Sequence, residues 1–182
     1  KSGEVMSFPE GQSFSKNMTA IGYTDCDKKP AFKLALHKDG DRWYLYCGLF
    51  WQSGFSIIEV TDPTNPRFVR YVEGPSNTWT LQVQVADGLL VTSQEKIMEG
   101  WGHVEGQTWG EGVLIWDLKD PENPELLSHW KTGGDGTHRN YYDGGRYIYA
   151  TGVPEGFQGN IMQILDIEDP RNPVEVGRWW ME

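Results

Sequence analysis

The chain has 182 residues, of which 13% are aromatic, including nine Trp, together with 22 Gly and 10 Pro. This composition is typical of a folded chain of many short strands separated by turns, and it excludes an intrinsically disordered chain. The formal net charge of −10, with no cluster of Lys and Arg, argues against nucleic-acid binding and against docking on an anionic membrane, since both need a positive surface.

Residues 1–30 are predicted to form an N-terminal extension, in which Met18–Tyr23 could add an edge strand. Residues 1–20 lack the charged start and apolar core of a signal peptide, and no run of about 18 apolar residues could span a membrane. We therefore expect a soluble chain, and a periplasmic or secreted location would require a leader removed beforehand. Cys26 and Cys47 fit no metal-binding spacing; they could form a disulfide, or Cys47 could be a buried thiol within a strand.

A ten-residue pattern occurs three times, at 57–66, 115–124 and 164–173. In each copy an apolar strand is followed by Asp-Pro-x-Asn-Pro, in which the Asp carboxylate can accept backbone N–H groups and Pro fixes φ for a tight turn. An Asp-Gly pair, which suits a two-residue hairpin turn, precedes each copy and begins at Asp39, Asp87 and Asp143. Self-similarity at a period of about 50 residues predicts a repeat architecture.

Four strands are predicted in each repeat, between the turn signals. They lie near 31–38, 42–48, 55–61 and 67–72 in the first unit, near 79–86, 89–93, 112–119 and 125–130 in the second, and near 137–142, 146–151, 161–168 and 174–180 in the third. Units of four antiparallel strands with this period are typical of β-propeller blades. The sequence therefore predicts an all-β fold in which residues 31–182 form three four-stranded antiparallel blades, at about 31–74, 75–132 and 133–182.

The strand followed by Asp-Pro-x-Asn-Pro resembles the repeat of the LVIVD-repeat β-propeller family, over about residues 31–180. The resemblance implies a complete ring, commonly of seven blades, of which this chain would supply about half. Because half a ring exposes apolar faces on its end blades, we expect a second propeller-half chain or a second copy to cover them. Further blades of one longer polypeptide would cover them equally well.

The connections between strands are predicted to divide between the two faces of the disc. Turns between strands 1–2 and 3–4 share one face, where Asp-Gly, Asp-Pro-x-Asn-Pro and the recurrent acids Glu59, Asp117 and Asp166 are predicted to be structural. The 2–3 and 4–1 connections share the opposite face, which differs between repeats, as a site built on a common scaffold does. Its connection at 94–111 is long and holds two Trp, one His and four Glu, which favours a functional loop.

The predicted site lies at the mouth of the channel, where the first strand of each blade begins. His138 is the candidate catalytic residue and metal ligand, because imidazole titrates near neutral pH and binds metals. Arg139 is the second catalytic candidate, since it could orient an anionic substrate. A divalent metal is a candidate cofactor, although one histidine alone does not make a zinc site. The residues predicted to bind ligand are Lys33, Trp79, Gln82, Trp101, His103 and Trp109.

Two functions fit these residues. The first is binding of a small-molecule ligand at the channel mouth, with metal-assisted or acid/base hydrolase or lyase chemistry once blades outside this chain complete the ring. The alternative is a non-catalytic interaction or assembly module that uses Trp101, Trp109 and the rim. The sequence holds no Gly-x-Ser-x-Gly, no Gly-rich phosphate loop and no Cys-x-x-Cys, so serine-nucleophile, nucleotide and thiol redox chemistry are unsupported.

Overall fold

The computed structural model describes residues 16–182, and these residues form three four-stranded antiparallel sheets, as the sequence predicts. The first sheet consists of β1 (Ala31–Asp39), β2 (Arg42–Leu49), β3 (Gly54–Glu59) and β4 (Arg67–Glu73). The second consists of a first strand in two pieces, β5 (Thr78–Trp79) and β6 (Val83–Ala86), followed by β7 (Leu89–Lys96), β8 (Gly112–Asp117) and β9 (Glu125–Trp130). The third consists of β10 (Thr137–Tyr141), β11 (Tyr147–Gly152), β12 (Ile161–Asp166) and β13 (Val174–Trp179).

The three sheets are propeller blades, here called blades 1, 2 and 3, and they pack face against face in chain order. The junction of blades 1 and 2 buries Tyr44, Tyr46, Phe55, Ile57, Val83, Leu90 and Leu118. The junction of blades 2 and 3 buries Val91, Val113, Ile115, Tyr142, Ile148, Ala150, Leu165 and Ile167. Successive residues of a strand point to opposite faces, so Leu90 packs on blade 1 while Val91 packs toward blade 3. Apolar packing on both faces of the middle sheet is the radial stacking of a propeller.

Outside the sheets, the described residues contain one short 3₁₀ turn, at Cys26–Lys28. No helix in this part of the chain is long and apolar enough to cross a bilayer.

The prediction of one continuous strand over 79–86 is wrong, because the chain leaves the ladder between Trp79 and Val83. There the carbonyl of Thr80 accepts a hydrogen bond from the N–H of Leu49 in blade 1, at 3.0 Å. Gly48 permits this approach, since a Cβ at that position would lie 2.7 Å from the carbonyl oxygens of both Thr80 and Leu81. A bond to the neighbouring blade thus replaces a bond within the sheet.

The Asp-Pro-x-Asn-Pro segments form three equivalent turns, which confirms their structural role. In each, the Asn N–H donates to the carbonyl of the first Asp, at 3.0 Å for Asn65 and Asn123 and 2.9 Å for Asn172. The Asp carboxylate also accepts the N–H two residues on. The recurrent acids have the same structural role, since Glu59, Asp117 and Asp166 accept the N–H of Thr61, Lys119 and Glu168.

The Asp-Gly pairs are less uniform than predicted. Asp87 and Gly88 form the expected two-residue hairpin, both with positive φ. At the first site the two-residue loop is Gly40 and Asp41, one position later, and the third pair lies in a longer loop between β10 and β11.

Both sets of turns lie on the same face of the disc, as predicted. The carboxylate of Asp87, in the Asp-Gly turn of blade 2, accepts the N–H of Gly145 from the corresponding loop of blade 3 at 2.6 Å. Glu122, in the Asp-Pro-x-Asn-Pro turn of blade 2, binds Arg67 at 2.9 Å and also Arg42, which follows the Asp-Gly turn of blade 1. The opposite face is therefore left for the variable connections.

Residues 16–30 of the predicted N-terminal extension lie before β1, and residues 1–15 fall outside the described part of the chain. The edge strand expected at Met18–Tyr23 is not formed. Instead, the backbone at Gly22 lies against the first Asp-Pro-x-Asn-Pro turn, and a Cβ there would lie 3.4 Å from Pro66 Cδ. The atoms nearest to that Cβ belong to the carbonyl group of Pro63, so the chain packs on a turn and not along a strand edge.

Cys26 and Cys47 are neighbours but are not joined in a disulfide. Cys47 is fully buried in β2, as one of the two interpretations of the sequence required. Its thiol donates to the carbonyl of Leu45 at 3.9 Å. A hydrogen bond from the Cys47 thiol to the Cys26 thiolate lowers the pKa of Cys26 to about 7, while burial and the charge of Asp25 act in the opposite direction. The same hydrogen bond, together with burial, raises the pKa of Cys47.

This pair gives a first prediction. Because the pKa of Cys26 is lowered, its thiolate, the form that reacts, should appear as the pH rises through about 7. Alkylation of Cys26 by iodoacetamide, followed by mass spectrometry of its peptide, should therefore accelerate between pH 6 and pH 8. In Cys47→Ala, which removes the donor that stabilises the Cys26 thiolate, the acceleration should move to higher pH. An unchanged profile in the variant would contradict the thiol–thiolate hydrogen bond.

Candidate ligand site at the channel mouth

The 2–3 and 4–1 connections meet on one face, as the strand order requires. Asn77, in the connection that enters blade 2, binds the long loop through its side-chain amide. Its Nδ2 donates to the carbonyls of Val104 and Gln107 at 3.3 and 3.2 Å, and its Oδ1 accepts the N–H of Val104 at 2.9 Å. The loop, predicted at 94–111, begins only after Lys96, because β7 is three residues longer than the predicted strand. The hydrogen bonds from Asn77 therefore hold the middle of the loop against this face.

Five aromatic side chains form a cluster at this face, here called the aromatic cluster: Phe32, Phe50, Trp51, Trp79 and Trp101. The ring centroid of Phe32 lies 5.6 Å from that of Phe50. Phe50 is at its centre, with ring centroids 4.7 Å from Trp51, 5.2 Å from Trp79 and 5.5 Å from Trp101. Trp51 and Trp101 stack on each other at 6.3 Å with an interplanar angle of 25°. Trp79 is buried, whereas Trp51 and Trp101 are 61% and 50% exposed. The two exposed indoles offer flat apolar surface to a ligand, and the buried rings hold them in place.

Glu95 and His138 form a hydrogen-bonded pair beside this cluster. Nδ1 of His138 lies 2.8 Å from Oε1 and 3.0 Å from Oε2 of Glu95. The pairing of β5 with β7 sets Glu95 opposite Trp79, and the first residues of β10 carry His138. The Glu95 side chain is only 14% exposed, and this burial raises its pKa, against the effect of the His138 hydrogen bond. A carboxylate on Nδ1 fixes the imidazole tautomer and leaves Nε2 as the nitrogen that can accept a proton.

Two further predicted residues lie next to each other at the rim. Nζ of Lys33, in the first strand of blade 1, donates to Oε1 of Gln82 at 3.1 Å. The pKa of Lys33 is lowered, first by burial and then by the positive charge of Arg139 in blade 3. Arg139 also acts on Glu95, whose pKa it lowers slightly. One polar region therefore contains side chains from all three blades: Lys33, Gln82, Glu95, His138 and Arg139.

Two open clefts flank Ile97, where the long loop leaves β7. One, of about 480 Å³, is lined by Phe50, Trp51 and Trp101. The other, of about 440 Å³, is lined by Glu95, Met98 and residues of the connection between blades 2 and 3. Cavities of a few hundred Å³ hold small molecules. The aromatic cluster thus lines the cleft on one side of Ile97, and Glu95 lines the cleft on the other side.

Two predicted ligand residues lie away from these groups. Trp109 donates its Nε1–H to the carbonyl of Gly134 at 3.2 Å, and Nζ of Lys96 lies 4.4 Å from the centre of its ring. His103 lies in the long loop, and the described residues give it no hydrogen bond or ring contact with the channel mouth. The loop thus places Trp101 in the aromatic cluster and Trp109 against the connection between blades 2 and 3, where Trp109 also lines a cavity with residues of blades 1 and 2.

For a metal, the residues from 16 to 182 contain no group of three or more His, Cys, Asp and Glu side chains arranged as ligands. Glu95 and His138 would supply at most two of the four groups that zinc usually takes. The role of His138 as a metal ligand stays a prediction that calls for ligands beyond these residues.

No sequence motif singles out Glu95, Phe50 or Trp51. Glu95 was one of four Glu in a segment treated as a loop, and Phe50 and Trp51 lie in a short connection beside Leu49. A usable signal was present, because Phe50 and Trp51 are adjacent aromatic residues on the face assigned to function. Glu95 could be identified only through the register of β7 against β5.

Comparison with known proteins finds no matching family model and no matching curated protein. Among solved structures, the chain is similar to a thermostable family-43 glycoside hydrolase, at 12% identity and a TM-score of 0.47 over 84% of this chain and 54% of that one. It is also similar to a bifunctional GH43-CE protein of Bacteroides eggerthii, at 14% identity and a TM-score of 0.30 over 81% of this chain and 28% of that one. The chain thus spans about half of the first protein and under a third of the second. Similarity at this level identifies neither a family nor an activity.

Proposed function

We propose that this chain binds a small molecule at the channel mouth and that Glu95 and His138 act on it as an acid/base pair in a hydrolysis or elimination. The proposal rests on the hydrogen bond between His138 Nδ1 and the buried Glu95 carboxylate, at 2.8 Å. A histidine held in this way can accept a proton at Nε2, and the carboxylate stabilises the imidazolium that forms. Glu95 is a positioning residue in this scheme, and His138 is the catalytic one.

The surroundings of the pair define the ligand. Trp51 and Trp101 would stack on an aromatic or other flat apolar part, because their exposed faces have no further ring to pack on among the described residues. Arg139 and Lys33 would bind an oxygen that carries or develops negative charge. In the hydrolysis of an aryl ester, for example, the oxygen of a water molecule attacks the carbonyl carbon while His138 takes a proton from that water. The bond between the carbonyl carbon and the aryl oxygen then breaks, and the aryl oxide leaves and can take up the proton from His138.

We further propose that the site is completed by blades outside this chain, in a ring of the LVIVD type. Support comes from the three repeats and from the free face of blade 3, on which Tyr141, Tyr147 and Tyr149 are 57%, 40% and 38% exposed. In blades 1 and 2 the corresponding face of the sheet is buried against the next blade. The partner would be a second propeller-half chain, a second copy, or more blades of one polypeptide.

The test compares His138→Gln and Glu95→Gln with the unchanged chain, using p-nitrophenyl acetate as the probe and release of p-nitrophenol as the readout. Loss of a general base lowers turnover by about 100-fold to 10,000-fold, so we expect a loss in that range for His138→Gln. Glu95→Gln should lose less, because Gln still accepts a hydrogen bond. His37→Gln, on the structural face, is the matched control and should keep its rate.

A second readout separates positioning from structure. In the unchanged chain the imidazole nitrogen chemical shifts of His138 should report a protonated Nδ1 and a free Nε2. Glu95→Gln should mix the tautomers while the dispersion of the backbone spectrum stays the same. If His138→Gln retains turnover, the acid/base role is wrong. If no aryl ester is turned over but aromatic esters still bind, the non-catalytic module becomes the better proposal.

A further inference from the structure

A third cavity, of about 390 Å³, lies between blades 1 and 2, away from the proposed catalytic pair. Its lining includes Phe55 and Val72 of blade 1 and Leu114 and Trp116 of blade 2, and the rings of Phe55 and Trp116 contact each other with centroids 5.3 Å apart. Pro75 and Gly110 lie over it, so the C-terminal part of the long loop helps to form its roof. None of the aromatic cluster residues lines it, and neither Glu95 nor His138 does.

Gln94 brings an unpartnered polar group into this cavity. Its side chain lines the cavity and is 3% exposed, yet its Oε1 has no hydrogen-bond partner in the described residues. Two hydroxyls that also line the cavity do not donate to this oxygen: Thr80 Oγ1 accepts the N–H of Gly54 and Thr92 Oγ1 accepts the indole N–H of Trp116, both at 3.1 Å. A buried acceptor without a donor is costly, so it calls for a physical explanation, of which a bound molecule is one.

Adjacent residues of β7 serve the two sites separately. Glu95 turns to His138 at the channel mouth, while Gln94 turns to the cavity, as alternate residues of a strand must. The two sites can therefore be tested independently of each other.

We propose that this cavity is a second ligand site, for a small molecule with an apolar body and one hydrogen-bond donor, an arylalkyl amine or alcohol. The volume lies within the range of about 300–1,000 Å³ that small-molecule sites occupy. The donor bonds to Gln94 Oε1 once the side-chain amide turns this buried atom toward the ligand, and the apolar body packs on the touching rings of Phe55 and Trp116. Glu73 lines the cavity and no Lys or Arg among the described residues does, so the lining favours a neutral or cationic molecule over an anion.

Three probes of similar shape test this chemistry on the full chain: phenethylamine, 2-phenylethanol and phenylacetate. Each is titrated while the side-chain amide of Gln94 and the indole N–H of Trp116 are followed by amide proton–nitrogen spectroscopy. We expect saturable shifts of both signals with phenethylamine and 2-phenylethanol, and much weaker binding of phenylacetate, which offers only acceptors.

Two variants locate the bound probe. Leu126→Trp should fill the cavity and abolish the shifts, and it should fold, because Leu126 is 46% exposed on the outer strand. Gln94→Met removes the acceptor and should weaken phenethylamine about tenfold, the effect of one hydrogen bond, while the Trp116 signal still shifts. His138→Gln should leave phenethylamine binding unchanged, which separates this site from the proposed catalytic one.

The proposal is overturned if none of the three probes shifts the Gln94 and Trp116 signals, since the cavity would then hold only water. It is also overturned if phenylacetate binds as tightly as phenethylamine, or if binding persists unchanged in Leu126→Trp.

Discussion

Gly112→Ala should lower the free energy of unfolding by about 3 kcal/mol or more, one of the largest effects available to a single methyl group in this chain. Gly112 opens β8 at φ 97°, a conformation that side chains rarely adopt. A Cβ there would collide with the carbonyl oxygen of Trp130 and would lie 2.9 Å from Lys131 Cα. Both obstacles are backbone atoms of the neighbouring connection, so no side chain can move aside to make room. Denaturant unfolding followed by tryptophan fluorescence measures the loss.

Gly88→Ala is the matched control. Gly88 also has a positive φ, of 73°, but no atom lies within 4 Å of its would-be Cβ. Only the conformational cost of about 1 kcal/mol remains. If the two substitutions destabilise the chain equally, the close approach of backbone atoms is not the reason that glycine is needed at Gly112. Gly54 opens β3 in the same way, with its would-be Cβ against the carbonyl of Val72, and should behave like Gly112.

The blades could be predicted from sequence because their signals are local. An Asp that bonds the N–H two residues on, followed by a Pro that fixes φ, forms its turn whatever lies beyond it. Three copies of that turn fix three blades, and twelve predicted strands lie within a few residues of the observed ones. The interrupted strand at Thr80 could not be predicted, because the bond that breaks it comes from Leu49 in another blade.

The candidate site was predictable in its location but not in its key contacts. Strand order alone assigned the long loop, Trp79 and His138 to one face. The partner of His138 depends on the register of three strands from two blades, which no local pattern encodes. Trp101 and Trp109 look alike in the sequence, yet one stacks on Trp51 and the other bonds to Gly134, because the loop reverses direction around Asn77.

Tyr149→Asp should abolish the association of this chain with further blades while its own three sheets stay folded. Tyr149 lies on the face of β11 that points away from blade 2, whereas Ile148 and Ala150 on the opposite face are buried in the junction with that blade. In the proposed ring, the exposed ring of Tyr149 would be covered by the next blade. A charge buried without a partner at the centre of such a face weakens association by about 100-fold or more. Sedimentation velocity across a concentration series measures this loss.

Lys119→Asp is the matched control, since Lys119 lies in an exposed segment beside a turn and the substitution also introduces an acid. It should leave the association unchanged, and near-ultraviolet circular dichroism should find both variants folded. The decisive comparison is with the unchanged chain. If that chain sediments as a monomer at all concentrations and unfolds cooperatively, its tyrosine-rich face needs no cover and the proposed ring is wrong. If it associates and Tyr149→Asp associates equally well, the ring closes through some other surface.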